Sequence, residues 1–384
     1  MEALELLDII QQGESSSVQF KERLPHIDSL AQEMSAFSNS EGGKIIIGVN
    51  DKTGDLNSLT FQEIQAINQQ LVNAASQSVY PSIIIKTETV KVNDSHLVVV
   101  EIKEGISKPY KDRNGAIFVK NGSDKRKVTS NDEIARLLQS SKIMFADELS
   151  VQGTTISDIN LDLFKGFIKT KYGRSFEDLG VDLQKSLESL NLSKDGSLTL
   201  AGLLLFSDQR QTFRPLFTIQ CVSIDDIEMT GNTFSDNETP IEGSIIEVYQ
   251  KAMGFIDRNM KKKQTGSSFN SPSAWEIPYE VFEELLVNSL IHRDYFIQST
   301  IKIFIFRDRV EIHSPGKLPN SLTVDNIRNG ISIARNPILQ SIAQFVLPYK
   351  GLGTGVSRAI SLYPNIEFIN DIQGEQFRVT IRRP

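Results

Sequence analysis

The sequence predicts an α+β protein built from more than one domain, and three observations carry that reading. At 384 residues the chain is longer than one ordinary core. Strand-length β-branched runs such as Lys44-Ile45-Ile46-Ile47-Gly48-Val49 are interleaved with stripes of apolar residues at helical spacing. A composition of 39% hydrophobic and 23% charged residues is that of a globular chain with enough apolar mass for sizeable cores.

Taken in order, residues 1–140 mix the two kinds of element. A short amphipathic helix is expected over 28–37, and strands over 44–49, 82–90, 97–102 and 116–120. A helix over 131–138, capped by Ser130 or Asn131, closes the region. Residues 141–270 give weaker signals: a helix over 183–190, a buried apolar segment over 198–206, a strand over 217–224 and a helix over 243–260. Composition makes 264–273 (QTGSSFNSPS) a loop. From 271 to 384 come a long helix through Glu284, a strand pair over 300–306 and 310–313, and a proline and glycine turn at 314–319. A helix over 337–345, a glycine loop with a helix beyond it, and strands over 366–369 and 377–381 follow. The expected domains are therefore 1–140, 141–270 and 271–384.

Bulk properties exclude several function classes. A formal net charge of -7 rules out a chain coated in basic surface, so any nucleic-acid contact must be a local patch. The single cysteine, Cys221, excludes an intramolecular disulfide and a cysteine-based zinc module, and is read as a buried strand residue. The four histidines have no metal-ligand spacing. The amino terminus lacks the basic and apolar blocks of a secretory signal, and no apolar run approaches membrane-spanning length. A cytoplasmic protein with no membrane partner is expected.

The most informative stretch runs from Glu283 to Tyr295. In a helix, Glu284, Asn288 and His292 fall four residues apart along one stripe, while Phe282, Leu285, Leu286, Ser289 and Leu290 make the adjoining face apolar. A carboxylate and an amide on so buried a helix are costly unless paired. A hydrated cation carrying a nucleotide would pair them, and Gly351-Leu352-Gly353-Thr354-Gly355 would hold its phosphates. With Ser314–Pro319 (SPGKLP) and Ala334-Arg335-Asn336-Pro337, these motifs resemble the GHKL (histidine-kinase-like) ATPase fold, in the divergent branch of RecG-like transcriptional regulators. The resemblance covers 274–384 and implies a GHKL-type α/β sandwich that binds ATP and Mg²⁺. It makes Asn288 the magnesium ligand and Glu284 the residue that orients or activates water for a weak ATPase. Gly351, Gly353 and Gly355 take the phosphate-binding role, and His292 and Asp294 are placed in the same pocket. Ser314 and Gly316 stand where the family reads adenine with an aspartate.

Near the other end, Glu14 to Lys21 (ESSSVQFK) and Asn39 to Asp51 (NSEGGKIIIGVND) are followed by Lys108-Pro109-Tyr110 and Phe118 to Ser123. These resemble the Schlafen-type AlbA-like domain over 10–138, which implies a mixed-sheet fold and a DNA or RNA partner. Residues Glu101 to Lys127 hold eight lysines or arginines against four acids. Lys108, Lys111, Arg113, Lys120, Lys125, Arg126 and Lys127, with Lys21 and Arg23, are the candidate phosphate contacts. A solvated strand edge explains the same run, because lysines discourage edge pairing. Tyr110 and Phe118 have the spacing of stacking rings. In Schlafen nucleases clustered carboxylates hold a metal; the corresponding positions here are Glu14, Gln19 and Asp51, with an amide where glutamate is expected.

The combined expectation is a nucleic-acid-binding transcriptional regulator with a divergent ATP-binding domain, dimeric by family analogy. A metal-dependent RNA endonuclease using Glu14 and Asp51 is the second reading, and an interaction scaffold with vestigial sites the third.

Overall fold

The computed structural model describes residues 2–141, 143–229, 234–264, 273–319, 322–351 and 353–384. By contacts the chain separates into two compact units, Met1–Met144 and Phe145–Pro384, each an α+β arrangement with its own apolar core.

In the first unit the sheet runs in the order Val18–Lys21, Gly43–Ile47, Ser95–Ile102, Ile85–Val92. The first pair is parallel and the others antiparallel. The unbroken apolar run at Gly43–Ile47 has a simple cause: both faces of this strand are covered. Ile45 and Ile47 join Val98 and Val100 beneath Leu30, Met34 and Phe37 of the helix Ile27–Asn39. Ile46 faces the other way with Leu97 and Val99, against Leu6 of the helix Ala3–Gln12. Gly43 has to lack a side chain, since a Cβ there would run into the Phe37 ring and the Ser17 carbonyl. A hairpin, Phe118–Asn121 with Asp124–Lys127, precedes the helix Asn131–Ser140, and together they enclose Val119, Val128 and Leu137.

The second unit is organised on a six-stranded mixed sheet in the order Asp236–Ile241, Ile219–Ser223, Ile301–Ile305, Arg309–Pro315, Gln376–Arg382, Ile366–Asp371. Its one parallel pair, Ile219–Ser223 beside Ile301–Ile305, places strands from before and after residue 270 in one sheet. Cys221 is fully buried there, as expected for a strand cysteine. The helix Leu200–Phe206 is buried at every position, and Ile245–Asn259 starts from a Ser244/Glu247 capping box. The helix Tyr279–His292 buries most of its residues, including Phe282, Leu286 and Leu290, as an all-round apolar pattern requires.

Several elements lie outside those expected from sequence. The helix Phe61–Asn73 carries a Thr60/Glu63 capping box as its sequence signal. The helix Leu161–Tyr172 begins at Asn160 and ends on Gly173 in the left-handed region. The segment expected as a loop over 264–273 has paired ends, Lys262–Gln264 against Ser273–Trp275, and residues 265–272 lie outside the described residues. Among the described residues no helix is long and apolar enough to cross a membrane.

One long-range contact fixes the helix that leads into the glycine loop. The helix Pro337–Ala343 has no cap from its own Asn336. Instead the fully buried Asp147 accepts hydrogen bonds from the Ile338 and Leu339 amides at 2.7 and 3.0 Å. Replacing Asp147 with alanine should cost about 1–2 kcal/mol of stability in urea unfolding of this unit. Burial pushes the Asp147 carboxyl up to about 7 despite those two amides. The folded state thus holds a proton that the unfolded chain releases above the ordinary carboxylate range, and the group's contribution to stability falls as pH rises to about 7. The Asp147→Asn variant should lose that pH dependence, gaining on wild type as pH rises from the ordinary carboxylate range to about 7.

Candidate functional site

The site helix Tyr279–His292 turns Glu284, Asn288 and His292 toward a cavity in the second unit. Asn288 donates its side-chain N–H to the Glu284 carbonyl at 2.7 Å, which leaves the amide oxygen as the acceptor available to the cavity. Glu284 is only 6% exposed, and its carboxylate pairs with the Arg358 guanidinium. His292 is held well below the ordinary imidazole range, at about 4, first by burial and then by the Arg335 charge. It is therefore neutral near pH 7, with Tyr349 Oη 3.4 Å from its Nε2.

The residues after His292 form a clamp. Arg293 lies over the edge-to-face pair of Phe217 and Tyr295, its guanidinium carbon 4.7 and 4.8 Å from their centroids, and donates to the Ile297 and Ser299 carbonyls. Asn336 donates to the Ile291 and Arg293 carbonyls at 2.8 and 3.0 Å, closing the helix end. Arg335 donates to the Lys317 carbonyl at 2.7 Å, tying this stretch to the proline and glycine turn. The placement of Asp294 in the pocket is corrected here. Asp294 does not line the cavity; it is buried in the turn, where its carboxylate accepts from the Phe296 amide and its own N–H donates to the Pro315 carbonyl.

The cavity lining is of two chemical kinds. Ile312, Leu322, Ile327, Phe368 and Val379 give it an apolar part. Ser314, also lining it, spends its hydroxyl on the Ser289 carbonyl at 3.3 Å. The polar lining comes from Glu284, Asn288 and the glycines, with Lys317, Arg335, Lys350 and Arg358. Four cations against one carboxylate make this lining suited to an anion. Gly351 and Gly353 are both left-handed, at φ +66° and +71°. Gly355 opens the helix Gly355–Leu362 so close to Glu284 and Asn288 that a Cβ would strike the Glu284 carboxylate. The residues fit a phosphate-bearing ligand with a divalent cation, the amide oxygen of Asn288 being a hard donor of the kind magnesium takes. Lys317 and Arg335 belong to motifs visible in sequence. Arg358 does not, because its partnership with Glu284 is long-range and leaves no local signal in the sequence.

In the first unit the basic run divides. Lys120 is not a surface residue: its side chain is 2% exposed, and its ammonium donates to Gln19 Oε1 and Glu33 Oε1 at 2.9 Å and to the Ser123 carbonyl at 2.6 Å. Lys108 is likewise buried, paired with Glu104 and bonded to the Ser40 carbonyl. Both were candidate phosphate contacts, and burial turns them inward because Glu33 and Glu104 need neutralising. Lys125 also pairs with Glu33, Arg113 with Asp28, and Arg126 with Glu133. Lys111, Arg113, Arg126 and Lys127 remain exposed, with Arg23 exposed and Lys21 half-buried. Tyr110 is in the core, its backbone pinned by Asn39, and offers no stacking face, while Phe118 is half-buried.

Gln19 has a specific task. Its amide donates to Glu14 Oε1 and accepts from Lys120, a pair of roles that a carboxylate could not fill. Asp51 is exposed in a turn, and among the described residues no three His, Cys, Asp or Glu side chains are grouped to hold a metal. The Glu14, Gln19 and Asp51 set therefore does not fit a catalytic metal.

Comparison with known proteins agrees with these two parts. Residues 14–129 match the family model "Schlafen, AlbA_2", and residues 298–381 match "Putative ATP-dependent DNA helicase recG C-terminal". The second match starts beyond the site helix and includes the glycine loop. The chain thus carries a Schlafen AlbA_2 domain toward its amino end and a RecG C-terminal, ATPase-like domain toward its carboxy end. No curated protein matches the chain. Among solved structures, the DIP2311 protein from Corynebacterium diphtheriae is similar in fold at 19% identity and TM-score 0.50, over 99% of this chain and 80% of its own. The N-terminal domain of a RecG-related protein from Nitrosomonas europaea aligns at 21% identity and TM-score 0.26, over 34% of this chain and 96% of its own.

Two outcomes follow for the site. Titration of the imidazole resonances should show one histidine with a midpoint of about 4, missing in His292→Gln. Because the unfolded chain binds that proton more readily, this histidine's stabilising contribution is complete above the ordinary imidazole range and is lost as pH falls toward about 4. Gly353→Ala would force a side chain into the left-handed region and against the Gly330 carbonyl, and should destabilise the unit by about 1 kcal/mol or more in the same urea assay.

Proposed function

We propose that the protein is a nucleic-acid-binding regulator of transcription whose second unit binds ATP with Mg²⁺, and whose nucleotide occupancy alters how the first unit engages DNA or RNA. The observation that carries this reading is a cavity whose lining combines aliphatic and aromatic residues with four cations, Asn288 and the glycines of the loop. An apolar face suits a base, and cations with left-handed glycines suit phosphates. In this reading Asn288 holds the cation through its amide oxygen, Gly351, Gly353 and Gly355 admit the phosphates, and residues 271–384 are the nucleotide-binding part. Residues 145–270 supply two strands of the same sheet, and 1–140 is the nucleic-acid-binding part. Ser314 and Gly316 border the base in place of a carboxylate reader, so selectivity for adenine is weak.

The two domain matches support a nucleic-acid partner, and the exposed Arg23, Lys111, Arg113, Arg126 and Lys127 are the proposed phosphate contacts. Arg113 and Lys125 both reach the helix Ile27–Asn39, at Asp28 and at Ser29 and Glu33, which gathers the basic residues around its first turns. Cleavage of RNA through Glu14 and Asp51 lacks support, because Gln19 already binds Glu14 and Asp51 stands exposed in a turn.

Calorimetry with Mg²⁺ and ATP tests the nucleotide half: binding by wild type should fall about tenfold or more in Asn288→Ala. If neither protein binds, the cavity is vestigial and the regulatory reading fails. For the other half, charge removal at Lys111, Arg113 and Lys127 should weaken nucleic-acid binding in gel shifts and flatten its salt dependence. A gel-shift affinity indifferent to ATP would sink the coupling.

A further inference from the structure

Glu284 is a buried carboxylate, and the cation beside it comes from the middle of the helix that follows the glycine loop. The Glu284 carboxylate is the anion that pairs Arg358. The Arg358 side chain nevertheless stays 40% exposed and lines the cavity, together with Lys317, Arg335 and Lys350. Gly355, one turn earlier, sits directly over the Glu284 carboxylate and the Asn288 amide. The glycine loop, Glu284, Asn288 and Arg358 therefore converge on one point of the cavity wall.

Resting on the nucleotide reading above, we propose that Arg358 distinguishes a nucleoside triphosphate from a diphosphate by exchanging its partner. Its guanidinium leaves Glu284 for the terminal phosphate, and Glu284 turns to the divalent cation that the ligand brings. Charge is balanced before and after the exchange. The arginine always faces an anion and the buried carboxylate always faces a cation, so neither is left unpaired in a low-dielectric wall. A guanidinium suits the incoming group because its planar fork matches phosphate oxygens as well as carboxylate ones. A diphosphate supplies one phosphate fewer, leaves Arg358 on Glu284 and forfeits that contact. Glu284 is thus occupied by Arg358 until a triphosphate releases it.

The test is calorimetric titration of the full chain with ATP and with ADP, both with Mg²⁺. Four proteins are compared: wild type, Glu284→Gln, Arg358→Lys and the double variant Glu284→Gln/Arg358→Ala. The double variant removes both charges together, so no carboxylate is stranded in the wall and the fold is retained. Wild type should prefer ATP. The double variant should lose about tenfold or more of its ATP affinity with ADP little changed, and Arg358→Lys should fall between. Equal weakening of both nucleotides, or an ATP preference that survives in the double variant, overturns the phosphate-sensing role while leaving the nucleotide site standing. Failure of wild type to bind either nucleotide overturns the site and this role together.

Discussion

A helix buried on nearly every side has to satisfy its last carbonyls inside the protein, and Asn336 does this for the site helix by bonding the carbonyls of Ile291 and Arg293. Much of the second unit's geometry depends on that closure. With the helix end fixed, Arg293 can turn back over two aromatic rings, Asp294 can shape the turn beside Gly316, and Arg335 can reach the Lys317 carbonyl. Motifs that lie far apart in sequence are thereby one mechanical assembly. Glu284, Asn288 and His292 hold their direction because the helix that bears them cannot rotate or slide.

The sequence made some of this legible and concealed the rest for a physical reason. Four-residue spacing identified the stripe of Glu284, Asn288 and His292, because helical periodicity is local. The alternation of Ile45, Ile46 and Ile47 between two cores is equally local, and the run announced itself as a strand covered on both faces. Partnership is not local. Nothing within a few residues of Glu284 indicates Arg358, and nothing near Ile338 points to Asp147. Asp294 misled because adjacency to a site residue in sequence says little about direction once a helix has ended. The basic run misled likewise, since a count of lysines does not separate those that cover a buried acid from those that meet solvent.

The first unit shows how a substitution can be explained by its neighbours. An amide at position 19 lies between a carboxylate and an ammonium and hydrogen-bonds to both. Glu33 accepts from Lys120 and Lys125, so a buried acid is neutralised entirely from within the chain. The result is a polar core whose charges are consumed by structure. The cations still able to act on something outside are the exposed ones, Arg23, Lys111, Arg113, Arg126 and Lys127.

The sheet of the second unit also constrains the order in which the protein can acquire its shape during synthesis. Gln376–Arg382 is an interior strand, hydrogen-bonded to Arg309–Pro315 on one side and to Ile366–Asp371 on the other. Asp147 likewise waits for Ile338. A nascent chain leaving the ribosome can complete the contacts of residues 1–144 early, while the second unit remains an open sheet until its final strand has emerged. Translation speed and chaperone access over that interval should therefore matter far more to the second unit than to the first.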